Sequence, residues 1–113
     1  MAITSLKTDE KHPVLQEIKK ALTSFLDKRL VKLVLFGSRA RGDYSAGSDF
    51  DIAIIVQGLT PQLKKEIYNA IADVELAHDT PVSAIALSEE EFEHLKQRER
   101  AIALDIEREG IPL

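Results

Sequence analysis

The chain has 113 residues, 44% of them hydrophobic and 30% charged, with 5% aromatic residues, no tryptophan, no cysteine and a formal net charge of −4. That length supports one modest core and so a single domain over 1–113, and the missing cysteines exclude disulfides, thiolate metal sites and cysteine nucleophiles. An acidic, aromatic-poor surface argues against general nucleic-acid binding, yet leaves room for one small anionic ligand held at a local basic spot.

The first residues, MAITSLKTDEKHP, are polar and lack the apolar stretch of a signal peptide; 1–12 read as a flexible arm. No apolar run is long enough to span a bilayer, the longest being of the size of IAIIV at 52–56. A cytoplasmic protein without membrane association is expected.

Leu15, Ile18, Leu22, Phe25 and Leu26 recur at helical spacing between Pro13 and Asp27, and Pro13 suits a first helical turn, where its missing N–H leaves nothing unsatisfied. Leu30 to Phe36 is a short apolar run ending at Gly37 and predicts a buried strand. Ser38 to Ser48 is polar and punctuated by Gly42 and Gly47. A second strand is expected from about Ser48 to Val56, alternating at its start and wholly apolar at its end, with Gly58 and Pro61 marking the turn after it.

Leu63, Ile67, Ile71 and Val74 then form one helical stripe, with Lys64, Lys65, Glu66 and Asp73 on the wet face. Pro81 to Leu87 predicts a third strand. Ser88 with Glu91 three residues on matches a capping box, which accounts for the Glu89-Glu90-Glu91 run as a helix-start preference. Phe92, Leu95, Ile102 and Ile106 continue a stripe toward Gly110, a helix-ending residue with Pro112 beyond it; the pattern fits one helix or two.

The chemistry concentrates in LVLFGSRARGDYSAGSDFDIAIIV, Leu33 to Val56. Side chains alternate along a strand, so Asp49 and Asp51 share one face while Phe50 points into the core. Two carboxylates side by side repel unless a shared cation rewards them, and hard oxygen ligands suit Mg²⁺. An isolated Asp-x-Asp is common by chance and is then only a hydrated strand start. Gly37 permits close approach of backbone to ligand, and the N–H groups that follow, with the Ser38 hydroxyl, can cradle a phosphate. Arg39 and Arg41 can neutralise a polyphosphate, although at i and i+2 they cannot both face one ligand from a regular helix. No Gly-Lys-Ser/Thr follows, so this is not a Walker loop.

Gly37-Ser38, ten residues, then Asp49-x-Asp51 between two apolar strands resembles the signature of the nucleotidyltransferase superfamily that includes polymerase β. The run GSRARGDYSAGSDFDIAIIV is similar to the minimal nucleotidyltransferases, small proteins encoded beside HEPN-domain partners, among them the MntA-type antitoxins. The resemblance implies an α/β fold, a small mixed β-sheet with helices packed on one side in a polymerase-β-like palm. It implies Asp49 and Asp51 as catalytic, Mg²⁺-binding residues, and Gly37, Ser38, Arg39 and Arg41 as the nucleotide-binding set. It also implies ATP as substrate and a HEPN ribonuclease toxin as partner, whose tyrosine receives AMP.

One position departs from the superfamily, which supplies a third carboxylate from the next strand. The corresponding residue here is Ser83, with Asp79 just before the strand as the nearest substitute. The departure leaves a second reading open: a catalytically weak nucleotide-binding module that silences its HEPN partner by occupying it. His12, His78 and His94 are widely separated and expected on polar surface, with no zinc spacing; Tyr44 is expected on a surface loop.

Overall fold

The computed structural model describes residues 12–42 and 48–113; Tyr44 and Gly47, and residues 1–11 of the expected arm, lie outside the described residues. The first helix, α1 (Pro13–Leu26), starts at His12, whose Nδ1 accepts the Val14 N–H at 3.2 Å, and Pro13 occupies its first turn. Its buried stripe is Val14, Leu15, Ile18, Leu22 and Leu26, whereas Phe25, expected within that stripe, sits at its rim and is 38% exposed. A 3₁₀ turn at Asp27–Arg29 leads into β1 (Leu30–Phe36).

A five-residue helix, α2 (Gly37–Arg41), follows β1 directly, and β2 (Phe50–Val56) is one of the two inner strands. The ladder starts at Phe50 rather than Ser48, where the Phe50 N–H donates to the Pro81 carbonyl at 3.1 Å. Then come α3 (Pro61–His78), β3 (Val82–Ser88), α4 (Glu89–Gln97), α5 (Ala101–Glu109) and a two-residue β4 (Ile111–Pro112). Thr60 caps α3 by accepting the Leu63 N–H at 3.1 Å, and Ser88 and Glu91 form the expected capping box.

The sheet has the order β3-β2-β1-β4, with β2 parallel to β3 and antiparallel to β1, and β1 antiparallel to β4. It is the mixed sheet of an α/β fold, as expected. The helices, expected on one side, cover both. The stripes of α1 and α3 pack on Leu33, Leu35, Phe50, Ile52 and Ile54. The opposite face, with Val34, Ala53 and Ile55, receives Phe92 of α4 and Ala103 and Ile106 of α5. The cause lies in β2: every residue from Ile52 to Val56 is buried, so a polar outer face is missing and both sides need cover. Burying a side chain of this size contributes about 1.5–3 kcal/mol, which makes a bare second face untenable.

Residues 89–109 are two helices, separated at Arg98–Arg100, where Glu99 takes φ 52°. Gly110 was expected as a helix-ending residue; its N–H does return to the Ile106 carbonyl at 3.2 Å, but its φ of −67° is ordinary. Glycine is required there by space: a Cβ would collide with Val34 Cγ1 and the Ile106 carbonyl oxygen. This tight passage lets the chain turn and lay Ile111 and Pro112 beside Leu35 and Val34 as an edge strand.

Candidate active site

The register of the sheet builds the site. Asp51 stands opposite Phe36 on β1 and Ser83 on β3, so these three share the face away from Phe50. Phe50 is fully buried on the α1/α3 side, as the alternation requires. Asp49 lies one residue before the strand, and the Ser83 hydroxyl donates to its Oδ2 at 3.2 Å. Asp49, Asp51 and Ser83 therefore converge at one end of the sheet, with Ser83 beside the pair.

Gly37 closes this corner. It follows β1 with φ 75°, and a Cβ built on it would run into the Asp51 carboxylate. The turn leaving β1 thus presses its bare backbone against the second aspartate. Burial pushes the Asp51 carboxyl above the usual aspartate range, the nearby Asp49 charge adds to the rise, and the Arg41 guanidinium opposes it. Asp51 is half-buried and Asp49 exposed. Two like charges side by side, one of them half-buried, make a site that gains from a cation.

The two arginines diverge, as their spacing requires. Arg39 donates from Nε and Nη2 to the Ser48 carbonyl at 3.3 and 3.1 Å, and its guanidinium lies 4.2 Å from the centre of the Phe50 ring. It braces the approach to β2. Arg41 instead reaches Glu109 at the end of α5, Nη1 to Oε1 3.2 Å, while its charge acts on Asp51. Glu109 is the site-proximal residue that sequence reasoning missed; its partner is 68 positions away, and no local pattern signals such a contact.

The other candidates fall elsewhere. Asp79 ends α3 in the left-handed conformation, φ 49°, where its N–H bonds the Glu75 carbonyl. Among the described residues no group of three or more His, Cys, Asp or Glu side chains is placed to hold a metal. His12 caps α1 and packs on Phe50 with ring centres 4.8 Å apart, rather than lying free in solvent, and His78 Nε2 is 3.3 Å from Glu17 Oε1. A groove of about 390 Å³ opens between β1, β4 and α5, lined by Val31, Leu33, Ile106 and Leu113, and includes none of the carboxylates named above.

A carboxylate pair at the head of an inner strand and a Gly-Ser turn against it, with the Arg41 charge acting on the second carboxylate, stand together at one end of the mixed sheet. A family model, the nucleotidyltransferase domain, matches residues 15–110, and the chain belongs to that family. Two curated proteins of Methanocaldococcus jannaschii are similar to it. "Putative protein adenylyltransferase MJ0141" is 36% identical over 73 residues, 64% of this chain and 74% of that protein. "Putative protein adenylyltransferase MJ0604" is 49% identical over 41 residues, 36% of this chain and 41% of that protein. Among solved structures, a "putative nucleotidyltransferase" from Sulfolobus solfataricus superposes with a TM-score of 0.57 at 26% identity, over 98% of this chain and 84% of that one. A chain of a toxin–antitoxin structure with AMP-PNP reaches the same TM-score, 0.57, at 19% identity, over 86% of this chain and 69% of that one, a likeness of fold. Among the described residues, no helix is long and apolar enough to cross a membrane.

Proposed function

We propose that this protein is a Mg²⁺-dependent adenylyltransferase of the cytoplasm that moves AMP from ATP to a tyrosine of a HEPN-domain ribonuclease and thereby acts as its antitoxin. The observation that carries the reading is the corner where Gly37 meets Asp51 beside Asp49: bare backbone, two carboxylates and the Arg41 cation in one place. The names of the M. jannaschii relatives favour protein as acceptor, and the toxin–antitoxin neighbour favours a partner chain.

In this reading the Gly37–Ser38 turn receives the terminal phosphates and Arg41 offsets their charge, while Arg39 keeps Ser48 and the start of β2 in place. The donor set fits one Mg²⁺, which favours one or two carboxylates together with substrate phosphates, and Asp49 and Asp51 would hold it. When bound, that ion neutralises phosphate charge and polarises the reacting centre. The acceptor hydroxyl gives up its proton to solvent, its oxygen attacks the α-phosphorus, the bond from that phosphorus to the bridging oxygen breaks, and pyrophosphate departs. The chain's main contribution is positioning and charge neutralisation, as is general for transfers at phosphorus.

Ser83 shapes the acceptor choice. A hydroxyl that donates to Asp49 cannot serve as a carboxylate base, so an acceptor that loses its proton readily is favoured. A tyrosine hydroxyl, with a pKa of about 10, needs far less help than a sugar alcohol. The same residue favours the second reading, a binding module that inhibits its partner without modifying it.

Intact-mass spectrometry of a HEPN-domain partner incubated with this protein, ATP and Mg²⁺ separates the two. The expected result is a gain of one adenylyl group on a tyrosine, with loss of ribonuclease activity. An unmodified but inhibited partner establishes the binding module, and an unmodified, active partner rejects both.

A further inference from the structure

We infer that Glu109, at the end of α5, is a positioning residue that holds Arg41 ready for the phosphates of the nucleotide; this rests on the proposed nucleotide site. Arg41 is the last residue of a five-residue helix and precedes Gly42, which has φ 85°. Ordering a long, charged side chain on binding costs rotamer entropy unless something has already ordered it. Glu109 is suited to do so because its backbone is fixed on both sides. Ile106, one turn earlier, is buried under the sheet, and Gly110, the next residue, is wedged against Val34.

The geometry of the contact fits a guide rather than a lock. Arg41 Nη1 lies 3.2 Å from Glu109 Oε1, with side-chain exposures of 42% and 30%. An ion pair this open contributes little to stability, so a polyanion arriving at the Gly37 turn can draw the guanidinium onward at small cost. The contact also ties the site to α5, which is otherwise remote in sequence.

Calorimetric titration of the full chain with Mg²⁺–ATP, with melting temperatures measured alongside, tests this. Glu109→Ala is expected to raise Kd about fivefold, the scale of one exposed ion pair. Glu109→Gln, whose amide oxygen still accepts from Arg41, falls between the wild type and Glu109→Ala. In an Arg41→Ala background, Glu109→Ala adds no further loss. Tighter binding by Glu109→Ala would mean that Glu109 competes with the nucleotide, and an equal loss with and without Arg41 would mean it acts through the fold; either overturns the inference. Wild-type binding with unchanged Glu109→Ala overturns it alone, whereas a wild type that binds no nucleotide overturns the proposed function as well.

Discussion

Gly37 and Asp51 sit so close that position 37 has no room for a side chain: a Cβ there would occupy the space of the Asp51 carboxylate. The same residue holds φ 75°, a conformation that side chains resist. Gly37→Ala therefore meets two obstacles, and either the turn or Asp51 must move. The expected loss of stability is about 1–3 kcal/mol, with loss of transfer activity beyond what the unfolded fraction explains. Urea titration together with single-turnover transfer below the transition checks this; an active, equally stable variant would show that the turn does not touch the site.

Asp51 carries a conflict between stability and chemistry. Burial and, after it, the Asp49 charge raise its folded-state pKa above the unfolded value, so the protonated form is the one that folding favours. The contribution is present below the ordinary carboxylate range and is lost as pH rises through the folded-state pKa. At neutral pH without metal, ionised Asp51 thus lowers stability. Asp51→Asn is expected to melt higher than wild type at pH 7 in chelator, with the advantage fading toward pH 4, and to lose both transfer and the stabilisation that Mg²⁺ gives the wild type. A lower melting temperature for Asp51→Asn at pH 7 would contradict the assigned cause.

Tyr68 protects the far edge of the sheet. β3 is an edge strand, and the outward N–H of Ala86, a fully buried residue, donates to the Tyr68 hydroxyl at 3.0 Å, while that of Val82 donates to Glu75 Oε2 at 2.9 Å. Side chains from α3 thus occupy donors that would otherwise invite another strand. Tyr68→Phe leaves the Ala86 donor without its partner, at about 1–3 kcal/mol. Chemical denaturation should show a lower midpoint with an unchanged slope, and transfer should persist; a variant as stable as wild type would mean that water replaces the hydroxyl.

What could be read from the chain alone follows the range of its physical signals. Periodicity is local, and it placed Ile67, Ile71 and Val74 on one buried stripe and Asp49 and Asp51 on the face opposite Phe50. The capping box at Ser88 is also local and carried the helix start. β4 had no such signal: two residues show no alternation, and Pro112, which lacks an N–H to donate, reads as a breaker until β1 offers it an edge. The cover on both faces was implicit in the unbroken apolar run Ile52–Val56, a pattern that fixes burial without saying which helix provides it. The Arg41–Glu109 contact depends on where α5 docks, which no window of sequence contains.

Ser83 is the position where this chain leaves its superfamily's pattern, and the structure puts it in register with Asp51 and in hydrogen-bond contact with Asp49. Ser83→Asp places a third carboxylate at that point. Ser83 is exposed, so the added charge stays hydrated and the fold should survive. Without metal, three carboxylates repel, and the melting temperature should fall below that of wild type. Mg²⁺ should reverse the order, since three anionic ligands hold the ion more firmly than two. A carboxylate facing the acceptor can also take its proton, which the Ser83 hydroxyl cannot, and general-base help of this kind contributes typically 10²–10⁴-fold, of which a newly introduced base should recover about tenfold. Single-turnover transfer at saturating Mg²⁺, with melting curves in Mg²⁺ and in chelator, measures both effects. A well-folded Ser83→Asp protein whose melting responds to Mg²⁺ but whose rate does not rise would mean that deprotonating the acceptor is not what limits this enzyme. One whose melting ignores Mg²⁺ would mean that position 83 does not face the ion.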